Sequence, residues 1–424
     1  MRVLIVTYAE KTHYLHMVSM AWALAAAGHE VRVASQPALA DTITASGLTA
    51  VPVGEDHQLL EMAQAIAREN PQAFNMGPSF GGLERPRTTW ERERGVYEAL
   101  VPYYLKIANN PSFVDGLVDF ARHWRPDLVL WEQMSYAGAV AARAVGAAHA
   151  RVLWSPDFLG RQREMFLELR EEQPEDQRVD PLGEWLAGEL ERHGLDFDEQ
   201  VVTGQFTIDP TPAGARLPLK LHTVPVRYVP YNGVAVVPDW LREPPARPRV
   251  CVTMGLSRRR YTGHDGFPVS GLKAFADLDI EVVTTLIPIP GEETAEVPAN
   301  TRVVDFVPMH ALLPTCDAVV HYGGSGTWMA AMLHGVPQLL VPQSGDTFIK
   351  AEHMERYGSG LVVPADEADD ETLRAALVRL LEEPSFRQSA ARLREEVLAV
   401  PSPGELVPTL EKLTAEYRTS TETS

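Results

Sequence analysis

The sequence predicts an α/β protein made of two parallel-sheet halves, on three observations. The chain opens with the apolar run Val3–Thr7, an apolar-faced helix His16–Ala27 closed by Gly28, and the run Val31–Ala34; strand, helix, strand in that order is a βαβ unit. A second series of apolar runs starts at Arg249–Met254 and continues through Val282–Leu286, Arg302–Phe306, Ala318–Val320 and Leu339–Val341. Between the two series lies Pro238–Pro248, PDWLREPPARP. Proline removes a backbone donor and breaks both helix and sheet, so this stretch reads as a linker. At 424 residues the chain is long enough for two cores. The expected division is 1–237, the linker 238–248, 249–404, and a terminal helix and tail at 405–424.

In chain order, Tyr8–Thr12 reads as the first strand-to-helix loop. It carries TYAEKTH and no G-x-G-x-x-G, which excludes an NAD or FAD enzyme of the dinucleotide-binding type. Ala38–Ala45 and Glu55–Arg68 read as helices, with a short strand at Thr49–Val53. Asn70–Arg87 is rich in Pro and Gly and has no period, so it reads as a long loop. Trp90–Leu105 and Phe113–His123 read as helices, Asp127–Glu132 as a strand ending in an acid, Tyr136–Val145 as a helix and Ala150–Trp154 as a strand. Gln162–Arg192 is charge-dense and reads as two helices broken at Pro174–Asp180. Phe206–Pro210 and Val226–Val229 read as the last strands of the first half. Helices are expected at Glu371–Leu381, Pro384–Val400 and Glu405–Glu416, and the tail RTSTETS has too little apolar surface to order itself.

The second half is organised around Ala318–Pro364. An apolar strand breaks into Gly323-Gly324-Ser325-Gly326-Thr327, a helix Trp328–His334 stops at Gly335 and Pro337, and another strand follows at Gln338–Val341. Glycines let a backbone approach a ligand, and free amides at a helix start favour phosphate oxygens. Taken alone, GGSG serves a tight turn equally well.

Composition narrows the partners. A formal charge of −19 argues against nucleic acid and against an anionic membrane surface. The two cysteines, Cys251 and Cys316, sit in apolar runs and make neither a metal motif nor a disulfide framework, which fits a reducing cytoplasm. No apolar run reaches the ~20 residues of a membrane span, and the opening MRVLIVTYAE is too short for a signal peptide. No cluster of acids suggests a metal.

Gly323–Thr327, followed by Gly335-Val336-Pro337, Pro342, Asp346-Thr347 and Gly358-Ser359-Gly360, resembles the donor-binding signature of the inverting nucleotide-sugar glycosyltransferases of GT-B architecture, two Rossmann-like domains with a cleft between them. The first half agrees: Thr12-His13 before MVSMAWALAAAGHEVRVAS, then TTWE, RPDLVLWE, ARVLWSPD, VRYVPYNG and VPMHALLPTCDAVVH, are similar to the enzymes that place deoxy sugars on macrolides and anthracyclines, the desosaminyltransferase-like group. The likeness runs from Met1 to about Leu413. It departs at Tyr322, where many relatives carry a histidine (here His321 stands one residue earlier), and at Asp346-Thr347, where Asp-Gln is common. A shorter side chain with a methyl suits a sugar that has lost hydroxyls.

The resemblance implies roles. His13 would be the general base and Glu132 the acid that orients it; an imidazole titrating near pH ~6.5 suits proton abstraction, and a strand-end acid lies on the edge where open α/β folds bind ligands. Ser257, Tyr322, Gly323, Gly324, Ser325, Gly326 and Thr327 would hold the diphosphate, Val307 would meet the nucleobase through its backbone, and Asp346 and Thr347 would meet the sugar. His16, Trp90, Tyr103 and Tyr104 are candidates for the acceptor side, with packing as the alternative for each; Trp328 reads as core or cleft wall. Arg258–Arg260 read as a solvated loop, with countering the diphosphate as the alternative, and His29 and His57 as surface groups. No cofactor is implied. The partners are a TDP-deoxysugar and a polyketide aglycone, with a cytochrome P450-like auxiliary protein on Glu55–Leu105 and a homodimer left open. Two other readings stand at this point: a nucleotide-sugar 2-epimerase of the same fold, and a non-catalytic binding subunit.

Overall fold

The computed structural model describes residues 1–69, 81–263, 265, 267–288, 291, 296–343 and 345–418. The greater part of the expected loop at 70–87, and of the tail, lies outside them.

Two fully parallel sheets form. The first holds β1 (Arg2–Val6), β2 (Glu30–Ser35), β3 (Ala50–Pro52), β4 (Leu128–Glu132), β5 (Ala148–Val152), β6 (Phe206–Asp209) and β7 (Thr223–Pro225), in the order β3-β2-β1-β4-β5-β6-β7. The second holds β8 (Arg249–Val252), β9 (Glu281–Thr284), β10 (Thr301–Val303), β11 (Ala318–His321), β12 (Gln338–Leu340) and β13 (Gly360–Val362), in the order β10-β9-β8-β11-β12-β13. Strand residues alternate between faces. In β1, Leu4 and Val6 join one core with the helices Pro111–Trp124 and Tyr136–Val145, while Val3 and Ile5 join the opposite core. Both faces are covered, which is why the strands read as unbroken apolar runs.

In each sheet the strand order reverses once beside the first strand, between β1 and β4 and between β8 and β11. Ligands of open α/β sheets bind outside the carboxyl ends of strands at such a switch point. His13 follows β1 and Glu132 ends β4; Ser257 follows β8 and Gly323 follows β11. The two switch points therefore contribute the opposite walls of one cleft.

The last helix, Pro403–Tyr417, opens on a capping box between Ser402 and Glu405. It buries Leu406, Val407, Leu410 and Leu413 on the first sheet, in the core that also holds Met17 and Leu24. At about 1.5–3 kcal/mol per buried leucine-sized side chain, this return strap is a substantial tie between the chain's end and its first half.

Several boundaries move for identifiable reasons. His13 lies on a separate short helix, Lys11–Leu15, capped by the Glu10 side chain, and Val18–Ala26 follows it as a second helix. The helix expected over Trp90–Leu105 changes at Val101 into a π-helical turn, Val101–Leu105, with Pro102 at its start; proline cannot donate within the helix. The strand expected at Val226–Val229 forms three residues earlier as β7, because Arg227 N donates to Pro401 O at 2.7 Å and so leaves the sheet. The helix expected from Trp328 begins at Ser325, so the glycine stretch supplies the first helical turn.

Candidate active site

The first-half wall of the cleft is a relay of side chains. The Glu132 carboxylate is buried and accepts three hydrogen bonds: from His13 Nδ1 at 3.1 Å, from Trp154 Nε1 at 2.8 Å and from Ser135 Oγ at 2.9 Å. Ser135 Oγ in turn accepts from Tyr8 N at 2.9 Å. A carboxylate can only accept, so His13 carries its proton on Nδ1 and presents a bare Nε2. The ring is packed against Trp154, with centroids 4.6 Å apart, and meets the Tyr8 ring edge-on at 5.3 Å. Burial pulls the imidazole pKa down, but Glu132, with Glu10 and Asp346 further off, outweighs it, and the pKa lies above its usual value. His16, three residues on, has no such acid. Burial, with help from His13 and Lys350, takes its pKa down to about 3, so its imidazole is neutral.

The opposite wall, from the second half, is built mostly from backbone. Gly323 has φ +100°, a left-handed value, and a Cβ there would stand 3.0 Å from Thr347 Cβ. The helix Ser325–His334 then starts with amides that have no intrahelical acceptor and no acid in its first turn, the usual setting for an anion. His321 supports this loop from behind. Its Nδ1 accepts from Gly323 N at 3.1 Å and its Nε2 donates to Gln338 Oε1 at 2.9 Å; burial lowers its pKa to about 4. It is a buried prop, and Tyr322 is the residue that faces the cleft.

Every donor-side residue expected from the sequence lines the cleft: Ser257, Val307, Tyr322, Gly323, Gly324, Ser325, Gly326, Thr327, Asp346 and Thr347. His13 and His16 line it too, and Glu132 stands directly behind His13. Three candidates, Trp90, Tyr103 and Tyr104, do not line it. Trp90 is buried in the first core beside Phe166, ring centroids 5.3 Å apart, and Tyr103 is 70% exposed on the π-helical turn; neither lines the cleft. Tyr104 points inward instead, with its hydroxyl 2.8 Å from Tyr8 Oη. The reading of Arg259 and Arg260 as solvated also changes, while the Arg258 side chain lies outside the described residues. These residues lie on the helix Ser257–Thr262, where Arg259 pairs with the buried Asp265 at 2.8 Å and Arg260 reaches Glu10. His29 and His57 are half-buried.

Lys350 is the main residue the sequence reading missed. Its ammonium is buried beneath the glycine loop and donates to Gly323 O at 3.0 Å, Ser325 Oγ at 2.7 Å and Asp346 Oδ2 at 2.6 Å. Burial lowers its pKa, against the opposing pull of Asp346. Asp346 also accepts from Ser155 of the first half. The signal available was the i, i+4 spacing of Asp346 and Lys350 on one helix. Among the described residues no group of three or more metal-ligating side chains occurs, and no helix is long and apolar enough to cross a membrane.

Known proteins resemble the chain along nearly its whole length. Residues 22–255 match the family model for the N-terminal domain of erythromycin biosynthesis protein CIII-like proteins, and residues 270–413 that for their C-terminal domain. The chain is 52% identical to 10-deoxymethynolide desosaminyltransferase of Streptomyces venezuelae, over 99% of this chain and 98% of that protein. It is 48% identical to aclacinomycin-T 2-deoxy-L-fucose transferase of Streptomyces galilaeus, over 99% and 97%. Among solved structures, the glycosyltransferase VinC in complex with dTDP superposes with a TM-score of 0.85 at 41% identity, over 98% of this chain and 100% of that one.

Proposed function

The chain belongs to the erythromycin biosynthesis protein CIII-like family of GT-B glycosyltransferases, and from that premise we propose how its cleft moves a deoxyhexose from a TDP donor to a hydroxyl of a polyketide aglycone. It is a TDP-deoxysugar-dependent transferase of the kind that acts on macrolide and anthracycline aglycones. The amino sugars named among its relatives, daunosamine and rhodosamine included, favour an amino sugar as the group transferred. The 2-epimerase reading finds no support among the relatives.

In the proposed step the acceptor hydroxyl gives its proton to His13 Nε2 as its oxygen bonds to the anomeric carbon. The bond from that carbon to the diphosphate breaks, and its electron pair leaves with the phosphate oxygen. One positioned base suffices for a displacement with inversion. The leaving charge falls on the amides of Ser325–Thr327, over the Lys350 ammonium. Val307 meets the nucleobase, and Asp346 and Thr347 meet the sugar. The carrying observation is the His13–Glu132 bond on one wall of the cleft opposite free helix amides on the other. Mass spectrometry of products from an aglycone panel with several TDP-deoxysugars tests it. A glycoside is expected; sugar turnover without any aglycone would overturn the reading in favour of the epimerase.

Two partners belong to the proposal. A P450-like auxiliary protein would meet Glu55–Leu105. Within that stretch the helix Leu59–Glu69 already bears on the donor half, where Gln64 Nε2 donates to Arg260 O at 3.2 Å, so a protein docked there would press on the donor side. The second partner is another copy of the chain. Activity with and without the auxiliary protein, and molar mass in solution, decide each. Cytoplasmic placement goes with the same reading.

A further inference from the structure

Glu10 is a carboxylate only 1% exposed, and it stands outside the set of residues that line the cleft. Two halves of the molecule converge on it. From its own side, Thr12 donates to Oε1 through its hydroxyl at 3.0 Å and its amide at 3.3 Å, which caps the helix Lys11–Leu15 that carries His13. From the donor half, Tyr261 Oη donates to Oε2 at 2.6 Å and Arg260 reaches Oε1 at 3.3 Å. Both belong to the helix that begins at Ser257, whose hydroxyl is itself 3.1 Å from Thr12 Oγ1. One short helix thus touches the donor cleft at its first residue and the cap of the base helix at its fourth and fifth.

We propose that Glu10 is a positioning residue for the transfer reaction, the joint through which the donor half sets the His13 helix and adds a second negative charge behind the base. This rests on His13 being the base. The charged and titratable groups around His13 come from four elements: Glu132 at the end of β4, Glu10 and His16 flanking its own helix, Asp346 and Lys350 on the helix Thr347–Tyr357 and its cap, and Tyr8 after β1. Arg260 and Tyr261 act on it through Glu10. Glu132 bonds His13 directly; Glu10 acts through the helix it caps and through its charge, which also favours protonation of His13.

The test compares Glu10→Gln, Tyr261→Phe and His13→Ala, with TDP binding by calorimetry to show that each variant is folded. Glu10→Gln keeps an acceptor for the cap and removes the charge. Its kcat should fall a few-fold, well short of the ~10²-fold or more lost with His13→Ala, and the acidic limb of kcat/KM for the acceptor should move to lower pH. Glu10→Asp, which restores the charge, should return the limb toward its parent position. Tyr261→Phe should lower kcat at saturating donor with unchanged TDP affinity. A limb that His13→Ala abolishes but Glu10→Gln leaves in place would overturn the proposal and leave the base intact, and so would parent kcat in Tyr261→Phe. A fully active His13→Ala variant that keeps the limb would instead overturn the base assignment, and this proposal with it.

Discussion

The two walls of the cleft are made from different materials. On the wall proposed to hold the donor, the groups offered are backbone amides at the start of Ser325–His334, placed by the left-handed Gly323 and propped by His321 and Lys350. On the wall proposed to carry the base, the group offered is one nitrogen of His13, placed by side chains from β4 and from the segment after β5. A backbone site fails when something fills it; a side-chain relay fails when one atom is removed. The walls should therefore respond to opposite kinds of substitution.

The sharpest contrast comes from His13→Ala. A general base contributes ~10²–10⁴-fold, so kcat should fall by that much while calorimetry finds TDP affinity unchanged. Loss of TDP binding in this variant would erase the distinction between the walls.

Asp346→Ala tests the buried charge. It leaves the Lys350 ammonium without its ionic partner, and breaking such a pair costs about 3–5 kcal/mol. Thermal unfolding should show a marked drop in stability along with lost turnover. Asp346→Asn, which keeps the shape, should lose turnover with a smaller drop. Equal stability of parent and alanine variant would show that Lys350 is held by Gly323 O and Ser325 Oγ alone.

Gly326→Val is the converse experiment. A Cβ at 326 meets only Tyr228 Oη at 3.7 Å and His16 Nε2 at 3.8 Å, so the fold has room for a side chain and the added bulk stands in the cleft. TDP affinity should fall about 10-fold or more, a loss of ~1.4 kcal/mol or more, while the acidic limb of the rate profile stays in place. Parent-like TDP binding would remove the loop from the donor site.

The same difference explains what the sequence disclosed. Gly323–Thr327 are legible because glycine at fixed positions has few other uses, and they line the cleft together with Asp346 and Thr347 spaced behind them. The βαβ openings of both halves and the acid at the end of β4 are legible from apolar runs and their termini. Side-chain convergence is not. Trp90 and Tyr103 are aromatic residues near the right motif, yet one packs on Phe166 and the other faces solvent, because the turn at Pro102 redirects the helix and sends Tyr104 inward in place of Tyr103. Lys350 lies in a stretch that looks like ordinary helix surface and Glu10 in the loop after the first strand; their burial comes from contacts with Gly323 and with Tyr261, distant in sequence or in the other half.

Of the substitutions that contrast the two walls, Glu132→Gln carries the mildest expected effect, and it separates orientation from charge. Gln has the same shape. Its carbonyl oxygen can accept from His13 Nδ1 and Trp154 Nε1, and its amide can donate to Ser135 Oγ, so the ring stays oriented and TDP binding is untouched. What disappears is the charge that, against the burial pulling the other way, keeps the His13 pKa above its usual value. The base must be neutral to act, so the acidic limb should shift to lower pH. Its plateau should fall about 10-fold, because a less basic imidazole is a poorer proton acceptor. Stability should follow the same charge with a definite sign. A histidine whose folded pKa is raised stabilises the fold fully below its unfolded value, near pH ~6.5, and loses that contribution as pH rises through the folded value. The parent should therefore exceed Glu132→Gln in thermal midpoint by more at about pH 6 than above the folded pKa. A limb that does not move, with a midpoint difference independent of pH, would mean that Glu132 holds the His13 ring by shape alone.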